Sequence, residues 1–173
     1  MKERPILFSA PMVLAILDGR KTQTRRVVKF TEAGRVRLGR RNWHIDDKDV
    51  SMACPYGRPG DRLWVRETWQ TIGTKTFYRA DWPNTTDLVW KPSIHMFRAD
   101  SRIDLEVSAV RRERLLDIST EDARAEGFAP HGQGGQEWSP RGWYECLWES
   151  INGPGSWDAN PWVWVVEFRR VSA

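Results

Sequence analysis

Helical spacing of the apolar residues predicts a short helix near the N-terminus. Ser9 and Pro11 are typical of a helix start, and Gly19 is typical of the residue that follows a helix end. Between them, three apolar residues fall on one helical face: Val13, Ile16 and Leu17. The residues after Gly19 are therefore expected to leave the helix through a chain reversal.

Two more helices are predicted in the second half of the chain. Ser119 opens the second helix as a capping residue, and Gly127 ends it. Ser139 opens the third helix, which closes at Gly153. The apolar face of this third helix is formed by Tyr144, Leu147, Trp148 and Ile151.

Alternation of apolar and polar residues predicts the strands. The clearest strand occupies residues 102–114, where one face carries Ile103, Leu105, Val107 and Ala109. A turn at Gly60 precedes another strand, whose apolar face continues into Glu67, so this carboxylate lies either at an exposed strand end or in a pocket. Residues 74–80 form a weaker strand. The last strand, residues 162–170, is apolar on both faces and is therefore expected to be central.

The order of these elements is a helix, several strands, two helices and a last strand. This order fits an α+β barrel with helices packed on its outside. The 173 residues are expected to form a single domain, 1–173, with a basic insert at about residues 29–58 and a glycine-rich loop at residues 129–138.

Two features predict a cytoplasmic protein. No apolar stretch approaches the ~20 residues that a membrane helix needs, and the N-terminus lacks the pattern of a signal peptide. The two cysteines, Cys54 and Cys146, form no metal-binding or disulfide-rich pattern, so each is expected to be a small buried hydrophobe rather than half of a disulfide.

Positive charge is concentrated in one segment. Residues 19–41 hold nine basic side chains and one acid, a local charge of +8, and the rest of the chain sums to −4 because the total is +4. Such a segment is either a surface for phosphates or a solvated basic loop. Four of the eleven tryptophans lie in loop-like stretches, where each either packs in the core or stacks on a base: Trp43, Trp69, Trp82 and Trp138.

The chain reversal after the first helix carries the richest chemistry. Lys21, Thr24, Arg25 and Arg26 follow directly on Gly19. In a flat strand, Lys21 and Thr24 would face opposite sides. They can share a site only if Lys21 still belongs to the turn, which is the geometry we expect.

The spacing of Gly19, Lys21, Thr24 and Arg26 resembles the Gly-x-Lys-x-x-Thr-x-Arg signature of the ASCH superfamily, the activating signal cointegrator homology domains. Other segments resemble prophage-encoded members of this superfamily: residues 59–68, 93–96, 150–153 and 160–166. The resemblance implies a PUA-like β-barrel and a role in nucleoside or nucleic-acid binding, although function varies within the superfamily.

The resemblance also implies a catalytic set. Members that hydrolyse the amide of N4-acylated cytidine use a Lys and a Thr of the signature with a Glu from a later helix, which correspond here to Lys21, Thr24 and Glu126 and require no cofactor. Thr24 would attack the amide or position a water, Lys21 would act as base or stabilise the oxyanion, and Glu126 would exchange protons with the leaving amine.

The position of Glu126 is unusual on physical grounds alone. It lies in the last turn of the predicted second helix, where the helix dipole disfavours a carboxylate by about 0.3–1 kcal/mol. Either an exposed Glu tolerates this small penalty, or a site requires the carboxylate there. We expect both Lys21 and Glu126 to lie outside the core, so that their substitution leaves folding intact.

Further residues are candidates for contacts to a modified nucleoside or a single-stranded nucleic acid. They come from the signature, the strand after Gly60, the following segments and the basic insert: Arg25, Arg26, Glu67, Trp69, His95, Arg37, Arg40 and Arg41. No metal site is predicted, since the three histidines are far apart and have no ligand-like spacing.

Three functions remain open at this point. They are a small hydrolase that removes an acyl group from a modified pyrimidine, a non-catalytic RNA- or DNA-binding module, and a ribonuclease. An enclosed, nucleoside-sized cavity around Lys21, Thr24 and Glu126 would favour the hydrolase, and an open positive groove would favour the binding module. The loop at residues 129–138 is expected to be a lid, with Trp138 covering a bound base.

Overall fold

The structure is a computed structural model that describes residues 1–130 and 138–171. Along these residues the chain forms nine β-strands and three α-helices. In chain order they are β1 (Glu3–Leu7), α1 (Ala10–Leu17), β2 (Gln23–Val27), β3 (Val36–Leu38), β4 (Arg41–Trp43), β5 (Arg62–Arg66), β6 (Trp69–Ile72), β7 (Lys75–Tyr78), β8 (Asp104–Arg114), α2 (Thr120–Ala125), α3 (Pro140–Asn152) and β9 (Trp162–Val171).

Five of the strands form one sheet in the order β1, β5, β8, β9, β2. Only β1 and β5 run parallel, and all other neighbours in this sheet are antiparallel. Since β9 lies between β8 and β2, the prediction of a central last strand is confirmed. The remaining strands form two separate hairpins, β3 with β4 and β6 with β7.

Hydrophobic clusters cover both faces of this sheet. On one face, α1 contributes Val13 and Ile16 to a cluster that includes Leu105 and Trp164. On the other face, α2 and α3 pack against β9, and the buried side chains are Ala123, Tyr144, Trp148, Val163 and Val165. The alternate residues of β9 therefore serve two cores, which is why the strand is apolar on both faces.

The central sheet is open in the described residues. Its edge strands, β1 and β2, share no backbone ladder, and the Arg26 guanidinium instead donates a hydrogen bond to the Leu7 carbonyl at 2.9 Å. The space between the two edges holds buried polar side chains, including Lys21, so the strands do not approach to pairing distance. The predicted α+β class is confirmed, and the predicted closed β-barrel is wrong.

The predicted helices are confirmed, with the capping that the sequence indicates. The Ser119 hydroxyl accepts from the Asp122 N–H at 3.0 Å, and the Ser139 hydroxyl accepts from the Gly142 N–H at 3.1 Å. In the part of the chain that the structure describes, no helix is long and apolar enough to span a membrane.

Sequence-based prediction missed five strands: β1, β2, β3, β4 and β6. β1 has only five residues and buries only Ile6, so it shows no apolar alternation. The β3–β4 hairpin lies in the basic stretch and buries only Val36 on its two strands, so its signal is equally weak. Hydrogen bonding to a partner strand, rather than a local pattern of apolar residues, holds β1 and the β3–β4 hairpin in strand conformation.

The two cysteines differ in burial. Cys54 is buried as expected, and burial raises the pKa of its thiol to about 11. Cys146 is exposed, so the prediction is wrong for this residue. It lies two positions from both Tyr144 and Trp148, whose buried side chains define the opposite face of α3.

Gly127 fixes the approach of α2 to the chain reversal. Its φ is +103°, and a Cβ there would lie 2.9 Å from the Ala15 Cβ and 3.2 Å from the Lys21 Cβ. Gly153 has a similar φ of +97°, but a Cβ there would meet nothing within 4 Å. A substitution at either position would place a side chain at a strained positive φ. Only a substitution at position 127 would also bring a Cβ into contact with neighbouring atoms.

We predict that Gly127→Ala destabilises the fold by about 1–3 kcal/mol more than Gly153→Ala, because only the first substitution overpacks a contact. Urea unfolding of the two variants and the parent measures the difference. Equal losses would show that positive φ, not the close approach to α1 and Lys21, is what requires glycine at position 127.

Candidate active site

A cavity of about 510 Å³ lies between the edges of the central sheet. The end of β1 and the start of α1 form one wall, β2 and Glu126 form the next, and α3 closes the far side. Lys21, Thr24 and Glu126 all line this cavity. Its volume falls within the range of about 300–1,000 Å³ that is usual for small-molecule sites.

The chain reversal brings Lys21 into this cavity. The Lys21 N–H donates to the Ala15 carbonyl at 2.9 Å, and Lys21 forms an isolated β-bridge with Glu126 before β2 begins at Gln23. Lys21 thus belongs to the turn, as its convergence with Thr24 requires. The two side chains therefore line the same space although they lie three residues apart.

Lys21 and Glu126 form a buried ion pair. The Lys21 Nζ donates to the Glu126 Oε2 and to the Glu126 backbone carbonyl, both at 2.8 Å, and each side chain is 2% exposed. Burial lowers the pKa of Lys21, and the attraction of Glu126 only partly opposes this effect. The Nζ thus donates to two acceptors of one residue, the carboxylate and the backbone carbonyl of Glu126.

Glu126 is held from its other side by Arg25. The Arg25 Nη1 donates to the Glu126 Oε1 at 3.0 Å, and the remaining nitrogens donate to Glu113 and Asp122. The Arg25 side chain is completely buried among these carboxylates, although the residue lines the cavity. Its structural effect is to fix the Glu126 carboxylate.

The same contacts explain the unusual position of Glu126. It is the C-cap residue of α2 and lies where unpaired carbonyls carry partial negative charge. Two cations from the chain reversal and β2 contact its carboxylate oxygens, one each. They outweigh the unfavourable helix end, so Glu126 is not a tolerated surface residue.

Arg26 holds the Thr24 hydroxyl on the same face of β2, since the two residues lie two positions apart in the strand. Its Nη1 donates to the Thr24 Oγ1 at 2.9 Å, and its guanidinium carbon lies 5.3 Å from the centre of the Phe8 ring. The Lys21 Nζ lies 5.6 Å from the same ring. Because Oγ1 accepts from Arg26, the hydroxyl proton of Thr24 is free to leave toward a base.

Tyr144 is a site residue that sequence analysis missed. It lines the cavity from α3 with 3% exposure, and burial followed by the charge of Glu126 raises the pKa of its hydroxyl well above the usual range. Its place on the apolar face with Trp148 indicated only core packing. The pattern could not show that this face also borders a cavity.

Several predicted contact residues lie away from the cavity. Glu67 is 2% exposed and makes a two-bond ion pair with Arg102, at 2.9 and 3.0 Å, so it lies neither at an exposed strand end nor in the cavity. Burial raises the pKa of Glu67, and Arg102 opposes this shift. Trp69 is 3% exposed and packs edge-on against Phe97, and His95 is exposed.

The other three tryptophans from loop-like stretches were predicted either to pack in the core or to be exposed for stacking on a base. Trp82 is 50% exposed, whereas Trp43 is half-buried against the core around α1. Trp138 is half-buried, and residues 131–137 of the predicted lid lie outside the described residues. Within the described ranges there is no group of three or more His, Cys, Asp or Glu that could hold a metal ion.

A solved structure of an ASCH domain from Lactobacillus crispatus JV V101 aligns with this chain at a TM-score of 0.48 and 9% sequence identity. The alignment covers 98% of this chain and 79% of that one. No family model and no curated protein matches the chain. The signature at residues 19–26 resembles the same superfamily.

The burial of Lys21 and Glu126 corrects the expectation that both lie outside the core. Removing one partner of a buried ion pair costs about 3–5 kcal/mol, because it leaves the other charge uncompensated. We predict that Lys21→Met and Glu126→Gln each destabilise the protein, and that the double variant loses about 0.5–3 kcal/mol less than the sum. Urea unfolding of the four proteins at neutral pH measures this coupling.

The exposed pair of Arg169 and Glu106, at 2.9 Å, is the matched control, since Arg169 is 70% exposed. Its coupling is expected to stay below about 1 kcal/mol. If the coupling of Lys21 with Glu126 is no larger, the two charges do not depend on each other in the folded protein.

Proposed function

We propose that the protein is a small hydrolase that removes the acyl group from the N4 amine of an acylated cytosine nucleoside. The observation that carries this proposal is that Lys21, Thr24 and Glu126 line one cavity of about 510 Å³. A cavity of this volume has the size that a nucleoside requires. The resemblance to ASCH amidohydrolases assigns its Lys, Thr and Glu to these same three residues.

Thr24 is the nucleophile in this proposal. A hydroxyl is a weak nucleophile unless a base takes its proton. The hydrogen bond from Arg26 orients the Thr24 Oγ1, and Lys21 supplies a base whose pKa burial lowers. The Lys21 Nζ passes one of its protons to the Glu126 Oε2, which it contacts at 2.8 Å, and takes up the proton of Thr24 as Oγ1 attacks the acyl carbon.

Glu126 transfers a proton to the leaving amine in this proposal. Its Oε2 already accepts from the Lys21 Nζ at 2.8 Å, so a proton taken up by Lys21 can pass on to N4 as the amide bond breaks. Tyr144 remains a hydrogen-bond donor at neutral pH because its pKa is raised. Its position on the α3 wall lets it donate to a carbonyl of the base.

We predict that Thr24→Ala abolishes hydrolysis of N4-acetylcytidine, while Thr24→Ser retains a measurable part of the parent kcat, because only the hydroxyl is needed for attack. The matched control is Thr22→Ala, since Thr22 is exposed and does not line the cavity. Release of cytidine measures turnover. Mass spectrometry of an acid-quenched single turnover measures the acyl group on the protein.

An unchanged kcat in Thr24→Ala would remove Thr24 from the reaction. If the folded parent turns over no N4-acylcytidine, the proposal that the protein is this hydrolase is wrong. Circular dichroism of each variant shows whether a loss of activity reflects unfolding.

A second candidate function, binding of single-stranded nucleic acid, is favoured by the β3–β4 hairpin. Four arginines are exposed there: Arg35, Arg37, Arg40 and Arg41. Within the described ranges none of the four makes a salt bridge, whereas Arg25, Arg98, Arg102 and Arg111 each pair with two or more acids. Cations without acidic partners remain available to phosphates.

If this hairpin binds a nucleic-acid strand, affinity for a short single-stranded RNA falls with salt by a log–log slope of about −0.7 per phosphate contacted. We predict that replacing the four hairpin arginines with Gln flattens this slope. The control replaces four exposed cations elsewhere with Gln, which changes the net charge equally: Lys75, Arg124, Arg169 and Arg170. Equal slopes for the two variants would show that only the overall charge matters.

A further inference from the structure

The backbone of β2 pairs with β9 on one side only. The Phe168 N–H donates to the Thr22 carbonyl, and the Val28 N–H donates to the Trp162 carbonyl, both at 2.8 Å. The register between these two points is continuous, from Gln23 opposite Glu167 to Val27 opposite Val163. Among the residues that the structure describes, β2 is an edge strand of the central sheet, and its second side has no strand neighbour there.

The antiparallel ladder then fixes where each backbone amide points. Hydrogen-bonded and non-hydrogen-bonded pairs alternate along such a ladder. Because Thr22 and Val28 bond to β9, Thr24 and Arg26 also turn their N–H and C=O groups toward β9. Arg25 turns its N–H and C=O groups the other way, toward the free edge.

The free edge of β2 borders the cavity. Arg25 lines the cavity although its side chain is completely buried among carboxylates. The Arg26 Nη1 donates both to the Arg25 carbonyl, at 3.2 Å, and to the Thr24 Oγ1, at 2.9 Å, so the outward backbone of Arg25 lies beside the Thr24 hydroxyl. The register with β9 leaves the Arg25 N–H outside the ladder, and within residues 1–130 and 138–171 it donates to no other backbone carbonyl.

We propose that the backbone N–H of Arg25 is the oxyanion-hole donor of the hydrolase reaction, an inference that rests on the function proposed above. A backbone N–H of the residue that follows the nucleophile is well placed for this role, because it lies next to the carbon that the nucleophile attacks. It is also held rigidly by the strand, so it needs no reorganisation during the reaction.

The proposed reaction begins with acylation of Thr24. The Thr24 Oγ1 bonds to the acyl carbon, its proton moves to the Lys21 Nζ, and the carbonyl electron pair moves to the oxygen, which accepts from the Arg25 N–H. The oxyanion then collapses and the bond from carbon to N4 breaks. N4 takes the proton from Lys21 by way of Glu126, and water later hydrolyses the ester on Thr24 to release the acid.

Arg26 is the competing donor, and three of its five N–H groups already make hydrogen bonds. Its Nη1 bonds to the Thr24 Oγ1 and to the Arg25 carbonyl, and its Nη2 bonds to the Leu7 carbonyl. These contacts orient the nucleophile and bridge the two sheet edges. A role of Arg26 at the oxyanion would fall to its Nε–H or its second Nη2–H, on a side chain that the ester substitution at Arg25 leaves unchanged, so the experiment below separates the two donors.

An ester in place of one amide tests the proposal. Replacing Arg25 with its α-hydroxy acid analogue removes the N–H and keeps the side chain and its contacts to Glu126. The synthetic segment 1–53 can be joined to residues 54–173 by native chemical ligation at Cys54, which gives the full chain with no added residue. The control carries the same change at Gln23, whose N–H also faces the free edge.

Both esters weaken one carbonyl of the β2–β9 ladder, that of Thr24 or that of Thr22, so their effects on the ladder are matched. With N4-acetylcytidine, we expect the Arg25 ester to lower kcat about 10²–10³-fold with little change in KM. We expect the Gln23 ester to match the ligated parent. Urea unfolding of both esters checks that their stability is similar.

Each outcome has a distinct meaning. A ligated parent that folds but hydrolyses no N4-acylcytidine overturns the proposed function, and this inference with it. An active parent with an equally active Arg25 ester overturns the oxyanion role alone. Equal losses in both esters would assign the effect to the weakened ladder and also overturn the role.

Discussion

The buried carboxylate of Glu126 is the constraint on which the rest of this structure depends. A carboxylate with 2% exposure at a helix C-terminus is unfavourable unless cations compensate it, and Lys21 and Arg25 each contact one of its oxygens. These contacts tie the end of α2 to the chain reversal and to β2. Gly127 permits the same approach, because any larger residue would meet Ala15 and Lys21.

This arrangement connects an open sheet to a reactive site. Polar side chains between β1 and β2 keep the two edges apart, so the gap becomes a cavity rather than a further ladder. The edge strand supplies Thr24 from one face, the guanidinium of Arg25 from the other, and an unpaired backbone amide from its free side. A closed barrel would have used that amide in strand pairing, so openness of the sheet and chemistry of the site have the same origin.

Sequence-based prediction succeeded where the signal is local. The helix caps at Ser119 and Ser139 and the central position of β9 follow from nearby residues, and the structure contains them. Prediction failed where burial depends on distant partners. Cys146 is exposed, and Glu67 is paired with Arg102, which lies 35 residues further along the chain.

The sequence by itself determined the three helices, the strands β5, β7, β8 and β9, and the set of candidate side chains. Helical and strand periodicity, capping residues and the spacing of Gly19, Lys21 and Thr24 are properties of short segments, which local sterics and hydrogen bonding govern. Only the tertiary structure decided which charges meet, because Lys21 and Glu126 are separated by 105 residues and no local pattern encodes their contact. It also decided that Tyr144 borders the cavity and that the sheet stays open, since both depend on how whole elements pack together.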